Sequence, residues 1–175
     1  MDILFNIYIY FFLFVLGAVF GSFCNAWGWR IVHKENIASG RSHCATCGHQ
    51  LGVTDLVPIF SYVFLKGKCR YCGERISPRY LIVELISAAY FITIYAANGF
   101  SWTTLRLLIL GCILLVASLV DLDIMELPDG LMIAGAVFSL MRFIEGISIV
   151  EYLLGLIPAV VLLIIVLIMD KIMQR

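Results

Sequence analysis

The first long apolar run, Ile3–Trp27, reads ILFNIYIYFFLFVLGAVFGSFCNAW and contains no charged side chain. A transmembrane α-helix needs about 20 consecutive apolar residues, so this run predicts a membrane span. No basic residue precedes the run and no small-x-small cleavage site follows it, which predicts a retained helix rather than a cleaved signal peptide. This stretch therefore places the chain among integral membrane proteins.

The composition of the whole chain agrees with that placement. Of its 175 residues, 62% are hydrophobic and 14% are charged, and the mean hydropathy is +1.02. Soluble domains carry about 25% charged residues, so much of this surface is expected to face lipid. The formal net charge is zero, which argues against a nucleic-acid partner.

Four further apolar segments predict an all-α polytopic membrane protein with about five transmembrane helices. The segments are Tyr80–Ala97, Thr103–Val120, Leu131–Phe143 with its flanks, and Val150–Met169. The third of these is the weakest, because it is short and contains Arg142. We expect a first helix in residues 1–32, a polar loop in residues 33–79 and the remaining helices in residues 80–175.

The basic residues indicate the orientation of the chain. The polar loop holds seven of the twelve Lys and Arg residues. Because loops rich in basic residues face the cytoplasm, we expect this loop in the cytoplasm and the N-terminus outside. Counting helices onward places the acidic segment Asp121–Asp129 and the C-terminus on the cytoplasmic face as well.

Two Cys-x-x-Cys-Gly stretches in the polar loop predict a small zinc knuckle. They are Cys44-Ala-Thr-Cys47-Gly48 and Cys69-Arg-Tyr-Cys72-Gly73. Each pair spaces two sulfurs to fit a tetrahedral ion, so the predicted metal ligands are Cys44, Cys47, Cys69 and Cys72. Disulfides suit oxidising compartments and are the less favoured alternative, together with a redox pair. Lys66, Lys68 and Arg70 surround the second pair and are expected to favour thiolates.

The acidic segment after the third apolar run supplies a candidate for acid–base chemistry. A solvated loop accounts for Glu126 and for Asp129, which lies near the start of the next helix. Asp121 is different, because it directly follows the apolar run and is expected at the membrane edge. An ionisable group at that place is a candidate functional residue.

Several other polar and small residues in the helices are expected to serve packing. Gly17 and Gly21 share one helix face and permit close approach of a second helix. Asn25 is expected to hydrogen-bond a neighbouring helix. Glu84 lies about one turn inside the second span and is expected to pair with a cation such as Arg79 or Arg30, a role in a site being the alternative.

Taken in order, six stretches of the chain resemble the bacterial type IV prepilin peptidases, which are prepilin leader peptidase/N-methyltransferases. They are Gly21-Ser22-Phe23-x-Asn25, Ser42-x-Cys44-x-x-Cys47-Gly48, Val57-Pro58-Ile59-Phe60-Ser61-Tyr62, Gly67-Lys68-Cys69-x-x-Cys72-Gly73, Ile76-Ser77-x-Arg79-Tyr80-x-x-Val83-Glu84 and Asp121-x-Asp123-x-x-x-Leu127-Pro128-Asp129. Each match alone is weak, but all six share the family's order and spacing over about residues 17–130.

The resemblance implies a membrane aspartic protease of the bacterial cytoplasmic (inner) membrane. Such an enzyme cleaves the leader of type IV prepilins or pseudopilins on the cytoplasmic side, in type IV pilus or type II secretion systems. It then methylates the new N-terminus with S-adenosylmethionine. The family's first catalytic aspartate precedes the motif proline by seven positions, which corresponds to Asp121. The implied cofactors are structural zinc and S-adenosylmethionine.

The chain departs from the family at the second catalytic aspartate, which lies in a Gly-x-Gly-Asp motif. This motif does not occur in the chain. The favoured interpretation is that the chain ends before it, with an incomplete peptidase domain, and the alternative is a degenerate homologue. Either predicts that the chain alone does not cleave prepilins. Two other functions stay open: a non-catalytic membrane scaffold whose zinc knuckle docks cytoplasmic partners, and a membrane thiol oxidoreductase.

Overall fold

A computed structural model describes residues 3–36, 41–141 and 146, and in this part of the chain the protein is helical, with no β-strand. Three helices are long and apolar enough to cross a membrane. They are α1 (Ile3–Val32), α3 (Arg79–Asn98) and α4 (Trp102–Ile124). The all-α membrane fold predicted from the sequence is therefore confirmed.

Shorter helical elements complete the described part. The polar loop contains a 3-10 turn (Val53–Asp55) and α2 (Phe60–Phe64). The apolar helix α5 (Asp129–Leu140) corresponds to the fourth predicted span and is shorter than the others. The fifth predicted span, Val150–Met169, lies outside the described residues. The chain divides into two compact units, Met1–Phe138 and Ser139–Arg175, and the features below belong to the first.

The helices extend beyond the purely apolar runs. Helix α4 continues past Val120 and ends at Ile124, where Met125 adopts a left-handed conformation (φ 53°, ψ 29°) and its N–H caps the Asp121 carbonyl at 2.8 Å. Because an α-helix satisfies its own backbone hydrogen bonds, it can continue through polar residues beyond the apolar layer. Asp121 therefore lies on the last turn of a helix rather than in a loop.

Helices α1 and α3 pack through glycine, as predicted. A Cβ atom built on Gly17 would lie 2.8 Å from the Cα of Ala88, and one built on Gly21 would lie 2.9 Å from the Cα of Glu84. Both distances are too short for real side chains, so glycine allows the two backbones to approach this closely. Small residues at a helix interface serve the same purpose in many membrane proteins.

Helix α4 joins this pair through an apolar core. Val116 and Val120 are completely buried, and Leu119 packs against the helix face that carries Gly28. The buried cluster comprises Cys24, Val83, Ile113, Val116, Leu119, Val120 and Leu131. We call α1, α3 and α4 the bundle, and residues 41–78 the cysteine loop.

Candidate functional site

The first Cys-x-x-Cys stretch forms a tight knuckle. The N–H of Gly48 donates to the carbonyl of Cys44 at 2.9 Å, and the N–H of Cys44 donates to the carbonyl of His49 at 3.0 Å. Gly48 has a φ of +70°, a conformation that glycine adopts without strain. The chain therefore reverses directly behind Cys47 and turns both sulfurs to one side.

The second stretch repeats this geometry 25 residues later. Gly73 has a φ of +74°, and its N–H donates to the carbonyl of Cys69 at 3.0 Å. Cys69 in turn donates to the carbonyl of Glu74 at 2.8 Å. Each knuckle is also closed by one antiparallel bridge, His43 with Gln50 in the first and Lys68 with Arg75 in the second. The glycine after each Cys-x-x-Cys pair therefore allows the tight turn of each knuckle.

The two knuckles bring four sulfurs together. The Sγ atoms of Cys44, Cys47, Cys69 and Cys72 all lie within 4.8 Å of one another, and those of Cys44 and Cys72 are 3.9 Å apart. A tetrahedral zinc ion with Zn–S bonds of about 2.3 Å places its sulfurs about 3.8 Å apart. All six cysteines of the chain are described, and none forms a disulfide. The four predicted ligands therefore fit a metal ion in number, atom type and spacing.

Hydrogen bonds and crowding control the charge on these sulfurs. The backbone N–H groups of Cys47 and then Thr46 lower the pKa of the Cys44 thiol to about 6. At Cys72 the N–H of Glu74 favours the thiolate, but loss of solvent and the other three sulfurs together raise its pKa to about 12. Four thiolates this close repel one another unless a cation neutralises them. The cluster therefore favours a thiolate at Cys44, and a bound cation would be needed to keep all four sulfurs deprotonated.

Arg70, one of the three basic residues near the second knuckle, pairs with a carboxylate. The Arg70 Nε lies 2.7 Å from the Asp55 Oδ1, so this guanidinium pairs with a carboxylate of the 3-10 turn. The Tyr71 hydroxyl donates to Asp55 Oδ2 at 3.1 Å. Burial acts against ionisation of Asp55, but the Gly52 N–H, Tyr71 and Arg70 together lower its pKa. Asp55 thus ties the turn to the second knuckle, and no sequence spacing indicated it.

The two histidines beside the first knuckle contact aromatic rings. The His49 ring lies 3.6 Å from that of Tyr71, measured between centroids, and joins the two knuckles. The His43 ring meets Trp29 of α1 edge-on at 5.4 Å. These contacts hold the knuckles together and place them beside the end of α1.

A buried carboxylate connects the cysteine loop to the bundle. Glu84, on α3, is 7% exposed, and its Oε2 accepts a hydrogen bond of 2.7 Å from the N–H of Ile59. Ser22 of α1 interacts with the same carboxyl group. Of the two cations predicted as partners of Glu84, Arg79 is wrong, because Arg79 reaches α4 instead.

Arg79 joins the start of α3 to the end of α4. Its Nη1 donates to the Asp123 carboxylate, and its Nη2 donates to the Leu119 carbonyl at 2.8 Å. Residues two apart on a helix point about 200° apart, so Asp121 faces away from this ion pair. The Asp121 side chain is exposed. The predicted catalytic carboxylate and the carboxylate that fastens α3 to α4 are therefore different residues.

A cavity of about 400 Å³ lies between the cysteine loop and the ends of α1 and α3. Charged and aromatic side chains line it, among them Trp29, Arg30, Tyr62, Arg75, Tyr80 and Glu84. Cys44 and Cys69 lie at its wall, whereas Asp121 is not among the lining residues. The structure thus brings the sulfur cluster and Glu84 to one cavity, with Asp121 outside it.

Comparisons with known proteins match these elements. The model of the Bacterial Peptidase A24 N-terminal domain matches residues 15–98. The prepilin leader peptidase/N-methyltransferase of Myxococcus xanthus is 36% identical over 124 residues, which cover 71% of this chain and 37% of that protein. The Bacillus subtilis protein of the same name is 34% identical over 121 residues, covering 69% and 49% respectively.

A third relative carries a similar name. The Escherichia coli type 4 prepilin-like proteins leader peptide-processing enzyme is 34% identical over 131 residues, which cover 65% of this chain and 49% of that protein. The chain thus spans half or less of the length of these three curated relatives. No solved structure matches the chain.

Proposed function

This chain belongs to the type IV prepilin peptidase family, and from that premise we propose that it is the N-terminal part of a prepilin leader peptidase/N-methyltransferase. One observation carries the proposal: the matched domain, residues 15–98, runs from within α1 through the cysteine loop to the end of α3. The proposed substrates are type IV prepilins or pseudopilins, whose leaders would be cut at the membrane surface. The proposed location is the bacterial inner membrane, with the N-terminus outside and the cysteine loop in the cytoplasm.

We propose Asp121 as one of two carboxylates of an aspartic protease. In such an enzyme one carboxylate activates water while the other donates a proton to the substrate carbonyl or leaving amine. Asp121 suits this role because it is exposed on the last turn of α4, where a cytoplasmic leader would emerge from the membrane. Since the chain contains no Gly-x-Gly-Asp motif, the second carboxylate is proposed to come from a segment that this sequence does not include.

We propose that the four cysteines hold a structural zinc ion. Four thiolates close the coordination sphere and leave no open position for a substrate, which is typical of structural zinc sites. The ion would neutralise the crowded sulfurs and fix the two knuckles against each other.

The methyl donor is proposed to be S-adenosylmethionine, in keeping with the methyltransferase names of the relatives. The cavity of about 400 Å³ is within the range of small-molecule sites, and we propose it as the donor site. The Tyr62 and Tyr80 rings offer surfaces for an aromatic base, and Glu84 offers a negative group for a cationic sulfonium.

Substitution of Asp121 tests the proteolytic part of the proposal. We would join this chain to the C-terminal half of the Bacillus subtilis relative and express it with a prepilin in cells that lack their own peptidase. Asp121→Asn is expected to abolish leader cleavage, seen as a mobility shift of the prepilin. Glu126→Gln changes another exposed carboxylate of the same segment and is expected to cleave normally.

Three outcomes would count against this proposal. Normal cleavage by Asp121→Asn would remove Asp121 from the mechanism and favour the scaffold function. Equal loss in Glu126→Gln would point to a general effect of charge in the segment. Cleavage by the 175-residue chain alone would contradict the expectation that a second carboxylate must be added.

A further inference from the structure

The middle of the cysteine loop exposes a row of large apolar side chains. Val53 is 86% exposed, Phe60 is 54% exposed and Phe64 is 80% exposed. Val57 and Val63 lie between them and are also exposed. Contiguous apolar surface of this kind is unfavourable in water and marks a surface that contacts a partner or a membrane.

The depth of this segment follows from α3. That helix has 20 residues and is therefore about 30 Å long, which equals the thickness of the hydrocarbon layer it must cross. Glu84 is five residues from its first residue, Arg79, so Glu84 lies about 7 Å along the helix. The N–H of Ile59 is 2.7 Å from the Glu84 carboxylate. Because a helical side chain leans toward the start of its helix, this contact places Ile59 beside the first turns of α3, at the edge of the hydrocarbon layer.

The backbone of the segment is suited to such a depth. Outside water, backbone N–H groups need partners within the protein. Ser61 donates to the Val57 carbonyl, Val63 to that of Ile59, and Leu65 to that of Ser61, each at 3.0 Å. Pro58 has no N–H. Ile59 itself sits in a γ-turn (φ 64°, ψ −54°), a strained conformation for a β-branched residue, and its N–H is the one that Glu84 accepts.

The opposite side of the segment is polar. Asp55, Ser61 and Tyr62 line the cavity together with Leu56, whereas the exposed side chains of Val53, Phe60 and Phe64 do not. Exposed Lys66 and Lys68 follow directly. An apolar face, a polar face and adjacent cations are the features of segments that lie in the plane of a membrane surface and attract anionic headgroups.

We propose that residues 53–64 form an interfacial segment, embedded by its apolar face in the lipid at the end of the membrane where α3 begins. The partner is the bilayer itself, since α1 also exposes the large apolar side chains Phe20 and Phe23 beside Gly21, the residue that packs against Glu84. The segment thereby holds the cysteine loop against the membrane. The inference depends on α3 spanning the bilayer and does not depend on the proposed catalytic activity.

A fluorescent, polarity-sensitive amino acid at position 64 tests this location. The chain would be reconstituted in vesicles of phosphatidylcholine and phosphatidylglycerol, with and without nitroxide-labelled lipid. The same probe at Gln50, an exposed residue of the first knuckle that is neither a proposed metal ligand nor part of the cavity lining, is the matched control. We expect nitroxide lipid to quench the probe at position 64 several-fold more strongly than the control, and aqueous iodide to quench the control more strongly.

Two results would overturn the proposal. Strong iodide quenching at position 64 would place this face in water. Protection from both quenchers would show that protein covers it, either another part of the chain or a second copy. A second probe at Val53, which lies outside the γ-turn, should give the same quenching as the probe at position 64. A different result at only one of the two positions would indicate a local distortion caused by the label. Both probe variants should retain the metal content of the parent protein.

Discussion

The cysteine loop and the bundle are two regions of one membrane protein that are held together in opposite ways. Among the described residues of the loop, only Gly67 and Cys69 are buried. The bundle has a continuous apolar core and two places where glycine brings α1 and α3 into backbone contact. The loop thus depends on a few directed bonds, and the bundle depends on packing along whole helices.

This difference predicts that each region can lose its structure while the other stays folded. A region without a core loses its structure when its few bonds are removed, as small metal-dependent domains do. A packed helix pair loses stability according to how far its backbones are pushed apart. Three substitutions test this contrast, one in the loop, one in the bundle and one at the contact between them.

Removing a metal ligand should have the largest effect, and only in the loop. Cys69→Ser is expected to release the proposed zinc, whose binding in small zinc domains contributes about 10 kcal/mol or more to folding. Trypsin should then cut the loop at residues such as Lys66 and Lys68, while circular dichroism still shows the helices. Metal analysis and limited proteolysis measure the two effects.

A cysteine of the bundle provides the control for that experiment. Cys112→Ser alters a sulfur on α4 that is not part of the cluster and should leave metal content and trypsin resistance unchanged. Full metal content and an intact loop in Cys69→Ser would show that the loop does not depend on the cluster.

Adding side-chain volume between α1 and α3 should destabilise the bundle and leave the cysteine loop intact. Gly17→Val places atoms where a Cβ already comes within 2.8 Å of the Ala88 Cα and the Ser87 carbonyl oxygen. We expect the free energy of unfolding of the bundle to fall by about 3 kcal/mol, measured by denaturant titration in mild detergent. The metal content of the loop should persist until the bundle unfolds.

An open glycine supplies the comparison for this substitution. A Cβ built on Gly130 meets no atom within 4 Å, so Gly130→Ala is expected to be neutral or slightly stabilising. If Gly17→Val unfolds no more easily than the parent protein, close packing of α1 on α3 is not what holds the bundle together.

Removing the hydrogen bond between Glu84 and the cysteine loop should have the smallest effect on stability. Glu84→Ala leaves the Ile59 N–H without its acceptor, which costs about 2 kcal/mol when such a group stays buried. Glu84→Gln keeps an acceptor oxygen and should cost less. Hydrogen exchange of the Ile59 amide is expected to rise in the order parent, Gln, Ala. Equal exchange in all three proteins would mean that Glu84 does not hold the loop.

Much of the fold follows from local sequence. The apolar runs predicted α1, α3 and α4 because burial in lipid is set by composition over about 20 residues. The Cys-x-x-Cys-Gly spacing predicted four converging sulfurs because each knuckle is a local turn closed by its own glycine. Gly17 and Gly21 indicated close helix packing because they recur on one helix face.

Other features could not be read from the sequence. Of the two cations predicted for Glu84, Arg79 was wrong because it donates to Asp123 and to the Leu119 carbonyl of α4 instead. The role of Asp55 was missed because an acidic residue in a polar loop is ordinary by sequence. Asp55 connects the turn to the second knuckle only because the fold places it beside Arg70 and Tyr71. The apolar run Thr103–Val120 did not reveal that α4 continues to Ile124, because a helix can extend through polar residues beyond the apolar layer.

By itself, then, the sequence determined the membrane character of this protein, its three long helices and the set of four thiol donors. Only the tertiary structure decided which carboxylate holds the loop, which one fastens α3 to α4, and where the apolar row of residues 53–64 faces. The physical reason is range. Helix formation and knuckle turns depend on neighbours within a few residues, whereas Ile59–Glu84 and Arg79–Asp123 are 25 and 44 residues apart and depend on which helix faces meet.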